Sequence, residues 1–294
     1  MSTRVNINGT VFLPEEARIS VFDRAVLYGD GIYETLRTYD GRLFLYDEHF
    51  RRLQSSLAGL EIPFSMNSDE LYNEIMKTVE ATGHRDTMVR LLITRGISPI
   101  NLNPCENQSS TLIIIVEKYK PFPQDLYEKG ASLVIAQARR NSPKCLSPAI
   151  KSLNLLNNFL AYREAIKKKS FDSLLLSIDD YVAEGTTFNV FWVKDGVLYT
   201  PDEKVGILKG TTRDIVCLLA EQAGIECNKG FFGKESMLES DECFITSTLK
   251  EIMPVAQIDT KKIGYVCPGD ITGRLMKLFQ EKRDEFMYNP AMKR

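Results

Sequence analysis
Lys151-Ser-Leu-Asn-Leu-Leu156 is followed, 33 residues beyond its lysine, by Glu184-Gly-Thr-Thr-Phe-Asn-Val190, and these two segments decide how the rest of the chain is read. Pro148-Ala-Ile before the lysine and Leu153 and Leu155 after it shelter the amine. Desolvation disfavours an ammonium, which makes such an amine a better nucleophile and general base. Glu184 ends a strand-like stretch and stands beside the small residues Gly185, Thr186 and Thr187. An amine able to form a Schiff base, and a carboxylate able to keep a pyridine nitrogen protonated, are what a pyridoxal phosphate ring requires. Neither residue is decisive alone. Most of the 37 lysines and arginines must be solvated surface groups, and a glutamate beside a glycine reads equally well as a turn residue. Lys167, Lys168 and Lys169 compete poorly, because a charge run at a helix end is better explained by the helix dipole.

A phosphate needs backbone N–H groups, hydroxyls and a cation. Gly210-Thr211-Thr212 opens a helix predicted over 211–223, so its amides point at an anion, and Ser247-Thr248 adds hydroxyls from a second loop. Read singly, these are an N-cap threonine and a loop. Together with the lysine and glutamate segments they fall into a series: Tyr28-Gly-Asp-Gly-Ile-Tyr-Glu34, His49-Phe-Arg-Arg-Leu53, Lys151-Ser-Leu-Asn154, Glu184-Gly-Thr-Thr-Phe-Asn189, then Gly210-Thr-Thr-Arg213 with Ser247-Thr-Leu-Lys-Glu-Ile-Met-Pro254.

This series resembles the fold-type IV pyridoxal-phosphate enzymes, the class IV aminotransferases, from about residue 20 to about residue 277. The resemblance implies an α/β (α+β) two-domain fold with pyridoxal 5'-phosphate in the cleft between domains. It implies Lys151 as the Schiff-base lysine, Glu184 at the pyridine nitrogen, and Arg52, Thr211, Thr212, Ser247 and Thr248 as phosphate contacts. It further implies a homodimer, with amino acid and keto acid as small-molecule partners.

Substrate contacts are implied at Tyr28, Tyr33, Arg37, Arg90, Thr248 and Leu249. Tyr33 and Arg37 lie an even number of residues apart and share one strand face. Relatives acting on D-amino acids carry an arginine and a histidine where this chain has Ile100 and Leu102, so that carboxylate trap is missing. The 96–104 loop is similar instead to branched-chain enzymes. Leu156 and Met88 depart from them at positions that usually hold tyrosine, and Asn189-Val-Phe-Trp-Val is similar to aminodeoxychorismate lyases. The expected activity is transfer of the amino group of an L-branched-chain amino acid to 2-oxoglutarate. A D-amino acid or R-amine transaminase and an aminodeoxychorismate lyase are the alternatives; a cofactor-binding protein without turnover is disfavoured by Lys151 and Glu184.

At 294 residues the chain accommodates two ordinary domains. A net charge of −2 without a basic stripe argues against nucleic acid as a partner. The longest apolar run, 112–116, is too short for a bilayer, and the opening residues carry no apolar signal segment, so a cytoplasmic protein is expected. Cys105, Cys145, Cys217, Cys227, Cys243 and Cys267 include no C-x-x-C pair and only two histidines accompany them; reduced thiols and no metal are expected.

Periodicity predicts strands over 5–12, 31–39 and 42–46, helices over 48–60 (capped by Asp47) and from a cap at Ser68 to about 83, and strands over 88–95 and 111–118. These make up a domain over 1–118. The segment 119–126, with two prolines, reads as a linker. A second domain over 127–294 then carries most cofactor contacts. It has strands over 131–138, 173–178, 190–193 and 197–199, a helix over 154–169, the 211–223 helix, a strand around 242–246, and a last helix over 271–286.

Overall fold
The computed structural model describes residues 3–104 and 109–289. It divides into two compact units, one of Met1–Lys120, Ile150–Asn154 and Phe286–Arg294, the other of Pro121–Ala149 and Leu155–Glu285.

The first unit contains β1 (Arg4–Ile7), β2 (Thr10–Phe12), α1 (Arg24–Tyr28), β3 (Gly31–Tyr39), β4 (Arg42–Leu43), α2 (Tyr46–Gly59), α3 (Ser68–Thr82), β5 (Thr87–Thr94) and β6 (Thr111–Lys118). Its strands form one antiparallel sheet in the order β2-β1-β6-β5-β3-β4. Leu71, Ile75 and Val79 recur every fourth residue along α3 and, with Leu53 and Leu57 of α2, meet Leu36, Val89, Leu91, Ile114 and Val116 of the sheet. Each fully buried aliphatic side chain contributes about 1.5–3 kcal/mol by leaving water.

Three local features differ from the sequence reading. Residues 5–12 are a hairpin rather than one strand, because Asn8 and Gly9 take positive φ (49° and 89°) and turn the chain back on itself. Asp47 is not the cap of α2. The helix begins two residues earlier, behind Leu45, whose backbone N–H donates to the Phe286 carbonyl; Asp47 and Glu48 lie in the first turn and complement its dipole. In α3 the cap is Asn67, in a reciprocal capping box with Glu70, and Ser68 is already helical.

Residues 150–154 join the first unit because their backbone bonds to the edge of β3. The Tyr33 N–H donates to the Lys151 carbonyl (2.9 Å), the Leu153 N–H donates to the Gly31 carbonyl (2.9 Å), and Ile32 and Ser152 form an antiparallel bridge.

The second unit contains α4 (Asp125–Glu128), β7 (Ala131–Ile135), α5 (Leu156–Lys167), β8 (Asp172–Leu176), β9 (Val182–Gly185), β10 (Asn189–Lys194), β11 (Val197–Pro201), α6 (Thr211–Gln222), β12 (Cys227–Gly230), α7 (Lys234–Leu238), β13 (Glu242–Ser247), β14 (Glu251–Ile258), β15 (Lys261–Lys262) and α8 (Asp270–Lys282). Its mixed sheet runs β12-β11-β10-β13-β14-β7-β8-β9, with β15 on β14. Leu133, Leu174, Val190, Trp192, Ile245, Met253 and Val255 form its core. Of the described residues, no helix is long and apolar enough to cross a membrane.

Candidate active site
In the first unit, Lys151 owes its position to the edge pairing of 151–153 with β3 and to its own N–H, which donates to Ser56 Oγ (3.1 Å). Its Nζ lies 4.4 Å from the centroid of the Tyr33 ring. The Arg90 guanidinium lies 3.7 Å from the same centroid and donates to Thr35 Oγ1 (3.0 Å). Amine, phenol ring and guanidinium therefore form one contiguous group, with the cation–π attraction between a charged group and a ring face helping to hold it. Burial lowers the Arg90 pKa from its ordinary value, with Tyr33 opposing.

Alternation along β3 sends Glu34 to the other face, toward α2. There Arg52 donates to both of its oxygens (2.7 and 2.8 Å) and His49 Nδ1 lies 2.9 Å from Oε2. Burial disfavours ionised Glu34, but Arg52 and His49 together outweigh it and hold the carboxyl well below the usual glutamate range. Burial likewise depresses His49 against the pull of Glu34, with Arg52 and Lys151 adding to the depression. Tyr28 and Arg37 each have a partner of their own. Tyr28 ends α1 under the Arg24 guanidinium (4.9 Å), and Arg37 is held between the rings of Tyr39 (3.9 Å) and Tyr119 (3.6 Å).

In the second unit, Glu184 is buried at the end of β9. Arg140 Nε donates to its Oε1 (2.8 Å); the Leu208 N–H (3.1 Å) and Asn189 Nδ2 (3.4 Å) donate to Oε2. Asn189 also donates to the Leu208 carbonyl (3.0 Å), tying the carboxylate to the approach of α6. Gly210 caps α6 without a side chain, and a Cβ there would meet Asn189 Oδ1 at 1.9 Å. Thr211 and Thr212 are buried in the first turn, and Thr212 Oγ1 has no hydrogen-bond partner among the described residues. Ser247 Oγ accepts from the Lys250 N–H (3.1 Å), which shapes the turn carrying Thr248 and Leu249.

Behind this turn lies a buried lysine. Lys250 Nζ donates to Thr187 Oγ1 (3.0 Å) and faces Asp172 Oδ2 at 3.9 Å, while Asp172 Oδ1 accepts from Thr186 Oγ1 (2.7 Å). The pair fastens the loop after Glu184 to the turn after β13. Burial drives both groups toward their uncharged forms, raising the Asp172 pKa and lowering that of Lys250 against their mutual attraction.

The family model for amino-transferase class IV matches residues 31–258. The chain belongs to the class IV aminotransferases. This aminotransferase is 37% identical over 283 residues to a putative branched-chain-amino-acid aminotransferase of Methanocaldococcus jannaschii, covering 96% of this chain and 97% of the relative. To a D-alanine aminotransferase of Bacillus licheniformis it is 34% identical, covering 94% and 96%. Among solved structures, the branched-chain amino acid aminotransferase of Escherichia coli superposes with a TM-score of 0.92 at 28% identity, covering 98% of this chain and 96% of that one.

The aminotransferase belongs to a pyridoxal-phosphate-dependent family, and its residues fit that group. The unpartnered Thr212 hydroxyl stands at a helix N-terminus where the backbone comes close for want of a Cβ at Gly210, as an anion site requires. Glu184 is held in place by a guanidinium and a backbone N–H, charge-assisted partners suited to a carboxylate. Arg140 was not singled out from the sequence; it stands 44 residues before Glu184 in a loop, and no local pattern marks it. The Leu208 N–H carries no side-chain signal at all. Glu34 stood within a quoted motif, but only the fold reveals it as the partner of Arg52.

Proposed function
We propose that this aminotransferase moves the amino group of an L-branched-chain amino acid to 2-oxoglutarate. The observation that carries the reading is the contiguous group of Lys151, Tyr33 and Arg90: an amine that can react beside a cation that can hold a carboxylate. Ile100 and Leu102, exposed apolar residues of the 97–102 loop, offer no charge to a substrate carboxylate, which favours Arg90 for that role. The name of the Methanocaldococcus relative agrees with this choice of substrate.

Pyridoxal phosphate, when bound, supplies an electron-accepting ring that stabilises negative charge on the substrate carbon bearing the amine. Lys151 Nζ would hold the cofactor's aldehyde carbon, and as a free amine beside Tyr33 it would be placed to take up and return a proton at the substrate carbon. Glu184, ion-paired with Arg140, would face the ring nitrogen and favour its protonated form. Arg52, Thr211, Thr212, Ser247 and Thr248 bind the phosphate, and Tyr28, Tyr33, Arg37, Arg90, Thr248 and Leu249 line the substrate's path. Arg52 is already paired with Glu34, so it would meet the phosphate as a cation held in place in advance. The working form is a cytoplasmic homodimer.

A half-reaction tests the assignment. L-leucine added to cofactor-loaded protein without keto acid should convert the visible absorption of the bound cofactor to that of pyridoxamine phosphate, and 2-oxoglutarate should restore it. Conversion by D-alanine but not by L-leucine would overturn the substrate assignment. Turnover of aminodeoxychorismate to pyruvate with no requirement for keto acid would point to the lyase.

A further inference from the structure
Cys217 lies in the second turn of α6, and Cys227 opens β12, the edge strand that runs parallel to β11. Ten residues separate them, and Gly224, at φ 70°, reverses the chain between them. Their sulfurs are 3.8 Å apart and both residues are half-buried, reachable by a small molecule but held facing each other. A disulfide needs the sulfurs at about 2.05 Å, so closure asks for side-chain rotation and a small approach of α6 toward the strand. Arg213, one turn before Cys217, and Lys229, two residues beyond Cys227, add positive potential around the pair. Of the other described cysteines, Cys145 is exposed, Cys243 is buried and Cys267 is half-buried. Cys105 lies outside the described residues.

We propose that Cys217 and Cys227 form a modification site, a dithiol that hydrogen peroxide converts into a reversible disulfide fastening α6 to β12. The Cys217 sulfur attacks the peroxide O–O bond, forming a sulfenic acid and releasing water. The Cys227 thiol then attacks that sulfur, the S–S bond forms, and a second water leaves with the sulfenic oxygen. The two electrons lost by the thiols are those that reduce the peroxide. Cys217 is the attacking partner because its hydrogen-bonding contact with Cys227 lowers its pKa, against burial and Asp214, with Lys229 and Arg213 assisting. A thiol reductant reopens the bond by exchange. The site is independent of the transamination reading, since it requires no cofactor or substrate.

The test treats the full-length holoprotein with hydrogen peroxide, blocks remaining thiols and maps the digested peptides by mass spectrometry. The expected result is the loss of two titratable thiols and a Cys217–Cys227 cross-linked peptide that disappears on treatment with dithiothreitol. In C227S, Cys217 should remain as a sulfenic acid trapped by dimedone, and in C217S Cys227 should stay a free thiol. Serine differs from cysteine by one atom, so both variants test the chemistry with little change in packing. Two results overturn the proposal: Cys217 driven to sulfinic acid while Cys227 stays free, or both thiols surviving peroxide that oxidises Cys145.

Discussion
Glu34 is the residue at which burial and charge oppose each other most directly. Arg52 and His49 outweigh the burial cost, so folded Glu34 binds protons more weakly than it does in the unfolded chain. A depressed carboxyl contributes stability that is fully present above the unfolded value of about 4.3 and is lost as pH falls toward the native one. In E34Q, denaturant titrations at neutral pH should show a loss of about 3–5 kcal/mol, the cost of leaving a buried cation unpaired. Its stability should also fall less steeply than wild type in acid; parallel acid limbs would refute the assignment. At Asp172 and Lys250 the sign is reversed, since both shifts run toward the uncharged forms and the pair subtracts from stability at neutral pH. The expected pattern is non-additive. K250M alone should cost about 3 kcal/mol by stranding a buried carboxylate, while the double variant D172N/K250M should recover most of that loss. A double-variant loss equal to the sum of the K250M and D172N losses would show the two groups to be uncoupled.

Among the elements, α6 depends most on a single small residue. Gly210 has an ordinary φ of −77°, so its requirement is steric: a Cβ would collide with the Asn189 amide that links Glu184 to the Leu208 segment. G210A should therefore weaken pyridoxal phosphate binding about tenfold or more, the loss expected when one or two polar contacts worth about 1.5 kcal/mol are misplaced. Equilibrium dialysis with the cofactor reads this directly, and unchanged affinity would mean Asn189 is dispensable. The helix itself was legible from Gly-Thr-Thr and the apolar spacing after it, and most strands from alternation. The boundaries that moved did so for tertiary reasons or for missed turn chemistry. Leu45 starts α2 because the Phe286 carbonyl receives its N–H, which no local window contains. Asn8-Gly9, by contrast, was a turn signal present in the sequence and overlooked.

Each of the two units is a sheet with its own apolar core. The expected division of the chain treated everything beyond residue 126 as one block, whereas the backbone of 150–154 belongs with β3, so the candidate lysine is held by the first unit and Glu184 by the second. The sequence by itself determined the family and pointed to the candidate residues of the site. Lys151, Glu184 and Gly210-Thr-Thr212 sit in short segments whose neighbours set burial, turn and helix start locally. Only the tertiary structure decided that Arg140 anchors Glu184, that Glu34 anchors Arg52, that Lys250 is buried against Asp172, and that Cys217 faces Cys227. These partners lie 10 to 78 residues apart, and they meet through the packing of whole elements. Patterns of two or four residues reveal which face of an element is buried, but not which element lies opposite it.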